Sequence, residues 1–140
     1  MIRAFSLRAA WTRTAIAVAL VALVPLPGAE AFPQFQKEFL TKYADGTDAA
    51  FTDTAKEAKC FVCHQGKNKK NRNAYGQALE AYLGKKDKKD VEKIVAALET
   101  VAAESSNAEA EGAPTFGELI AEGRLPGGTL EEAQQEPSED

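Results

Sequence analysis

The sequence predicts a small all-α protein of four to five helices, and three observations carry that prediction. Apolar residues recur at three- and four-residue steps in several separate windows; Asp and Thr stand where helix N-caps are wanted; and no stretch alternates apolar with polar residues as a half-buried strand does. No internal repeat is visible. The 140 residues suffice for one globular domain at most.

The elements follow in order. Phe32, Phe35, Phe39, Leu40 and Tyr43 put an aromatic stripe down one side of a first helix that ends near Asp45 and Gly46. Such a stripe must be buried, against ordinary core or against a flat cofactor, and periodicity does not separate the two. Thr54 and Glu57 have the spacing of a capping box, which predicts a second helix from Ala55 carrying Cys60 and Cys63 near its end. A Gly-Lys-Asn loop, 65–71, comes next. Ala74, Tyr75, Ala78, Leu79, Tyr82 and Leu83 give a third helix over 72–83 a wide apolar face, with Gly84 placed as its C-terminal cap. Asp87 or Asp90 can start a fourth helix lined by Val91, Ile94, Val95, Leu98, Val101 and Ala102. Residues 104–113 read as an acidic linker. Thr115 and Glu118 then cap a short helix whose buried side is Phe116, Leu119 and Ile120. Residues 127–140, acidic and nearly free of large apolar side chains, read as a disordered tail.

Residues 1–31 read as a signal peptide rather than as part of the fold. Arg3, Arg8 and Arg13 precede an apolar run from Ala15 to Val24, Pro25 ends it, and Ala29-Glu30-Ala31 supplies small residues at the two positions a signal peptidase reads. Ten apolar residues are too few for a membrane span, which needs about 20. Cleavage after Ala31 would leave a domain over 32–126 working outside the cytoplasm, in a periplasm or an equivalent space, with no membrane span.

Charge is unevenly placed. The whole chain carries a net −4, and the part after Ala31 has 14 basic against 20 acidic side chains. Between Lys56 and Lys93 eleven Lys/Arg face five Asp/Glu, whereas from Ile94 to Asp140 Arg124 alone faces eleven acids. The overall negative balance argues against nucleic acid as a partner. The basic segments, Lys67, Lys69, Lys70 and Arg72 with Lys85, Lys86, Lys88 and Lys89, suit either a solvated surface or the docking of an acidic protein.

The chemistry is concentrated at Cys60-Phe61-Val62-Cys63-His64, a Cys-x-x-Cys-His run that uses both cysteines and the one histidine of the chain. On a helix, thiols at i and i+3 face the same way and can add to the two vinyl groups along one haem edge, while the adjacent imidazole reaches the iron. Three other readings compete: a zinc site, which would lack a fourth ligand; a thioredoxin-like dithiol, which needs a strand and helix context; and a disulfide, strained at this separation and closing almost no loop.

With its leader, its aromatic helix ahead of the motif, Cys60-x-x-Cys63-His64 and the helices after it, the chain resembles the small mono-haem c-type cytochromes. The motif-level similarity is confined to 60–64. The resemblance implies a cytochrome c-like bundle around one covalent haem c, with Cys60 and Cys63 as thioether attachments, His64 as the proximal iron ligand, and electron transfer to a redox partner rather than enzymatic catalysis. The chain departs from the electron-carrier pattern at the sixth iron position. Its one methionine is Met1 and its one histidine is His64, which leaves an open or water-bound iron, a lysine amine from Lys67, Lys69 or Lys70, or a tyrosine among Tyr43, Tyr75 and Tyr82. The alternative function is therefore a haem-based binder or sensor of carbon monoxide or nitric oxide. A peroxidase-like activity is weaker, since no distal base is visible.

Overall fold

The computed structural model describes residues 32–138, and the signal-peptide expectation for 1–31 lies outside them. Among the described residues there are six α-helices and no strand: α1 Pro33–Tyr43, α2 Ala49–Ala58, α3 Ala74–Glu80, α4 Val91–Ala102, α5 Phe116–Ala121 and α6 Leu130–Gln134. Two 3₁₀ segments, Lys59–Val62 and Lys85–Lys89, complete the helical content. None of these helices is long and apolar enough to cross a membrane.

Helix α4 is the centre of the bundle, packing against α1, α3 and α5. Its apolar side, Ile94, Ala97, Leu98 and Val101, is buried, and the Asp90 carboxylate accepts from the Lys93 amide at 3.0 Å to cap its start. The aromatic stripe of α1 divides its work. Phe39, 1% exposed, joins a chain of ring contacts with Tyr75 at 5.8 Å and through Tyr75 to Phe116 at 5.2 Å. Phe32 and Phe35 pack on each other at 5.4 Å and face a cavity instead.

Helix α2 begins earlier than its Thr54–Glu57 signal suggests. Asp48 caps it by accepting from the Phe51 amide at 3.0 Å, and Phe51, Ala55 and Ala58 are buried along it. Thr54 is thus mid-helix, and its hydroxyl donates back to the Ala50 carbonyl at 2.9 Å. The helix stops at Lys59, whose φ of +51° is left-handed, so the cysteines lie on the 3₁₀ segment and its C-cap rather than on α2. Helix α3 is shorter than the 72–83 stretch, because Asn73 caps it and the chain turns after Glu80.

The expected acidic tail is corrected over 127–138. Thr129 and Glu132 form a reciprocal capping box, α6 follows, and Ala133 is 3% exposed against the segment that carries Cys60. The cap is joined by Leu130, which packs partly buried against the core. Residues 104–113 are mainly exposed turns, closed by the Phe116 amide donating to Glu104 at 3.0 Å and the Ser106 amide to Pro114 at 2.9 Å.

Candidate functional site

Cys60, Cys63 and His64 share the wall of one cavity of about 680 Å³, within the size range of cofactor sites. Both thiols are free and half-buried. The 3₁₀ backbone brings residues three apart onto one side of the turn, with the amides of Cys63 and His64 donating to the Cys60 carbonyl at 3.2 and 3.0 Å. The opposite apolar surface comes from Phe32, Phe35 and Phe39 of α1 and from Leu79 and Leu83. Burial, with a smaller effect from Cys60, pushes the Cys63 thiol up to about 12, so it is held as the neutral thiol.

The loop after the motif fixes the histidine. His64 Nδ1 lies 3.2 Å from the Asn71 carbonyl; a carbonyl only accepts, so Nδ1 carries the proton and Nε2 keeps its lone pair. Burial lowers the imidazole pKa, partly opposed by the Asn71 carbonyl, so the ring is neutral at pH 7. This tie between one ring nitrogen and a backbone carbonyl is what orients a metal-ligating imidazole. A bridge between His64 and Arg72 closes the loop's base.

Asn73 is a residue that sequence reasoning passed over. It is 4% exposed, and its Nδ2 donates to the carbonyls of Phe61 at 3.0 Å and Val62 at 3.1 Å. Its Oδ1 accepts from the Gly76 amide at 3.0 Å, and its backbone amide donates to Cys63 at 3.3 Å. One side chain thereby caps α3 and fixes the backbone between the two cysteines. The position of an Asn directly before an apolar helical face was the available signal.

The rim of the cavity is cationic. Lys59, Lys69, Lys70, Arg72 and Lys85 line it with one acid, Glu80, which pairs with Arg72 at 3.1 Å. The Lys69 ammonium sits over the Phe61 ring at 4.1 Å. Of the other groups named as iron ligands, Lys67 and the three tyrosines are not on the cavity wall. Tyr43 donates to the Leu98 carbonyl at 3.1 Å and Tyr82 to Glu104 at 2.6 Å. Tyr75 is wholly buried with no hydrogen-bond partner for its hydroxyl, and burial beside Cys63 and Tyr43 drives its pKa far up, so the phenol stays protonated.

Among the described residues, no three His, Cys, Asp or Glu side chains gather as a closed metal-ion site. The arrangement is instead two thiols and one free imidazole nitrogen on the edge of an apolar slot, suited to a flat apolar group that carries its own metal. Compared with protein-family models, curated proteins and solved structures, the chain finds no match.

Proposed function

We propose that the protein is an extracytoplasmic mono-haem c-type cytochrome that transfers electrons. The observation that carries this reading is the meeting of Cys60, Cys63 and His64 on the wall of one apolar cavity. The residues fit the group. Cys60 and Cys63 would hold it by thioethers, His64 Nε2 would bind the iron, and the rings of Phe32, Phe35 and Phe39 would cover its apolar faces. Haem supplies a one-electron couple; the chain binds it, orients its ligand through Asn71 and excludes water with aromatic rings.

The cationic rim supports docking of an acidic redox partner beside the cavity. A second reading, binding of carbon monoxide or nitric oxide at an open sixth position, is favoured by one observation. The described residues contain neither methionine nor a second histidine, none of Tyr43, Tyr75 and Tyr82 lines the cavity, and the candidate ligands left on its wall are the amines of Lys69 and Lys70, which must lose a proton to bind iron. Mass spectrometry should find one haem that survives acid-acetone extraction, and the spectrum of the reduced protein should change on adding carbon monoxide. Complete extraction of the haem, or stoichiometric zinc, would overturn the haem reading; an unchanged spectrum would overturn the open position alone.

A further inference from the structure

The loop that carries His64 is closed at its base by the Gln65 amide donating to the Asn71 carbonyl at 3.2 Å and at its tip by the Asn71 amide donating to Asn68 at 2.9 Å, but it has no core of its own. Residues 65–71 are Gln, Gly, Lys, Asn, Lys, Lys and Asn, with no apolar side chain to bury. The loop is nevertheless seated, and part of what seats it comes from the far end of the chain. The Gly66 amide donates to the Ala133 carbonyl at 2.9 Å, and the Lys67 amide donates to Glu136 Oε1 at 2.9 Å, across 69 residues of sequence.

Two glycines make the approach possible. Gly66 has a φ of +67° and is buried; Glu136 occupies the space a β-carbon there would need. Gly127, at the other end of the segment, lies so close to the Asn73 side-chain amide that a β-carbon would overlap it. The segment 127–136 therefore touches both parts of the chain that orient the site: the loop whose Asn71 carbonyl holds the His64 ring, and Asn73, which holds the backbone between the cysteines.

We infer that this C-terminal segment is a clasp that positions the His64 imidazole, with Glu136 as its chief positioning residue. The inference rests on the reading of His64 as a metal ligand, but its mechanical part does not. Without the clasp, the Gly66 and Lys67 amides lose their partners and turn to water, and the Asn71 carbonyl is left with the Gln65 amide as its one backbone tie. The imidazole then loses its fixed tautomer and its fixed rotation. Glu136 lies two residues beyond the last helix, so proteolysis or a partner that takes hold of the C-terminus would act on the iron site without touching it.

The test compares the full chain with Glu136→Ala, Glu136→Gln and a chain ending at Gly128. Amide hydrogen exchange should quicken by about tenfold at Lys67 in Glu136→Ala, as loss of a hydrogen bond to a charged group implies, and at both Gly66 and Lys67 in the shortened chain. Amides of Ile94, Leu98 and Val101 should keep their protection, which separates a local release from general destabilisation. Nitrogen NMR shifts of the His64 ring should pass from one tautomer to a mixture, and in the haem-bearing protein the reduction potential should shift. Glu136→Gln, which keeps an acceptor oxygen, should restore most of both.

Unchanged exchange at Lys67 in Glu136→Ala, or at Gly66 in the shortened chain, would overturn the clasp. Quicker exchange there with the His64 ring shifts unaltered would reduce the segment to a cover and overturn its positioning role. Should the shortened chain fail to fold, the two Glu136 variants decide. Absence of haem from the purified protein would count against the proposed function, while the exchange and ring-shift measurements would still decide the clasp.

Discussion

Gly76 lies directly against the carbonyl of Cys63, so close that a β-carbon on Gly76 would overlap the carbonyl oxygen. This contact seats α3 on the thiol-bearing segment, and both residues line the cavity. In an exposed helix, Gly to Ala is stabilising by roughly 1 kcal/mol. Here the sign reverses. Gly76→Ala should lower the unfolding free energy by about 1–3 kcal/mol, the usual cost of overpacking, as read from the denaturant midpoint. A midpoint that stays or rises would mean that α3 can shift without disturbing Cys63.

Asn73 should matter more than its type suggests. Asn73→Ala removes the α3 cap, worth ~1 kcal/mol, and strips partners from the carbonyls of Phe61 and Val62, at about 1–3 kcal/mol for an unsatisfied buried group. Asn73→Asp keeps the acceptor for Gly76 but puts a carboxylate against two carbonyls. It should be at least as destabilising as the alanine variant. Full stability in Asn73→Asp would show that the cap alone accounts for the residue.

These two residues also show how far the sequence can be read. Apolar spacing located the cores of α1, α3, α4 and α5, because each buries a face whose period is local. The Cys60, Cys63 and His64 cluster was legible for the same reason: the three are neighbours in sequence. The Gly76 approach and the two carbonyls held by Asn73 depend on which turn of α3 meets which turn of the motif, and no local pattern encodes that. Thr129 and Glu132 did carry a capping signal for α6, but a five-residue helix with one buried alanine gives no periodicity to support it. The start of α2 was misplaced because Thr54 and Glu57 mimic a cap within a helix that Asp48 had already begun.

Lys59 holds a left-handed backbone, φ +51° and ψ −118°, where α2 gives way to the thiol-bearing turn. A lysine there carries strain on the order of 1–3 kcal/mol, offset only partly by the extra chain entropy a glycine would lose. Lys59→Gly should therefore raise the unfolding free energy, by about 1 kcal/mol. A loss of stability would mean that contacts of the lysine side chain outweigh the strain at its backbone.

Tyr43 links α1 to α4 and titrates late. Burial, assisted by Glu99, raises its pKa from 10.0 to about 12. The folded state thus holds this proton more tightly than the unfolded chain does. Its contribution to stability is complete below pH 10, shrinks as pH rises from 10 towards 12, and is gone above that. The stability difference between the native protein and Tyr43→Phe should be level up to pH 10 and should fall beyond it. A difference that stays constant through the alkaline range would show that Tyr43 ionises normally in the folded protein.

The proposed docking of an acidic partner on the lysine-rich rim is tested by a more careful perturbation than removal of the C-terminal acids, since Glu132 caps α6 and Glu136 holds the Lys67 amide. Glu131 is exposed and neutralising it leaves both contacts in place. Lys67 and Lys70 are exposed on the His64 loop, while Lys69 is engaged with Phe61. With an acidic electron-transfer partner at low ionic strength, Lys67→Gln combined with Lys70→Gln should slow the stopped-flow rate several-fold, and Glu131→Gln should raise it slightly. Both effects should fade at physiological salt, where screening sets in within about 8 Å. Spectral features of the site should not move in Lys67→Gln alone, because that side chain is not on the cavity wall. Rates indifferent to the lysine substitutions, or rising with salt, would make the cationic rim a solubility feature and move the docking surface elsewhere.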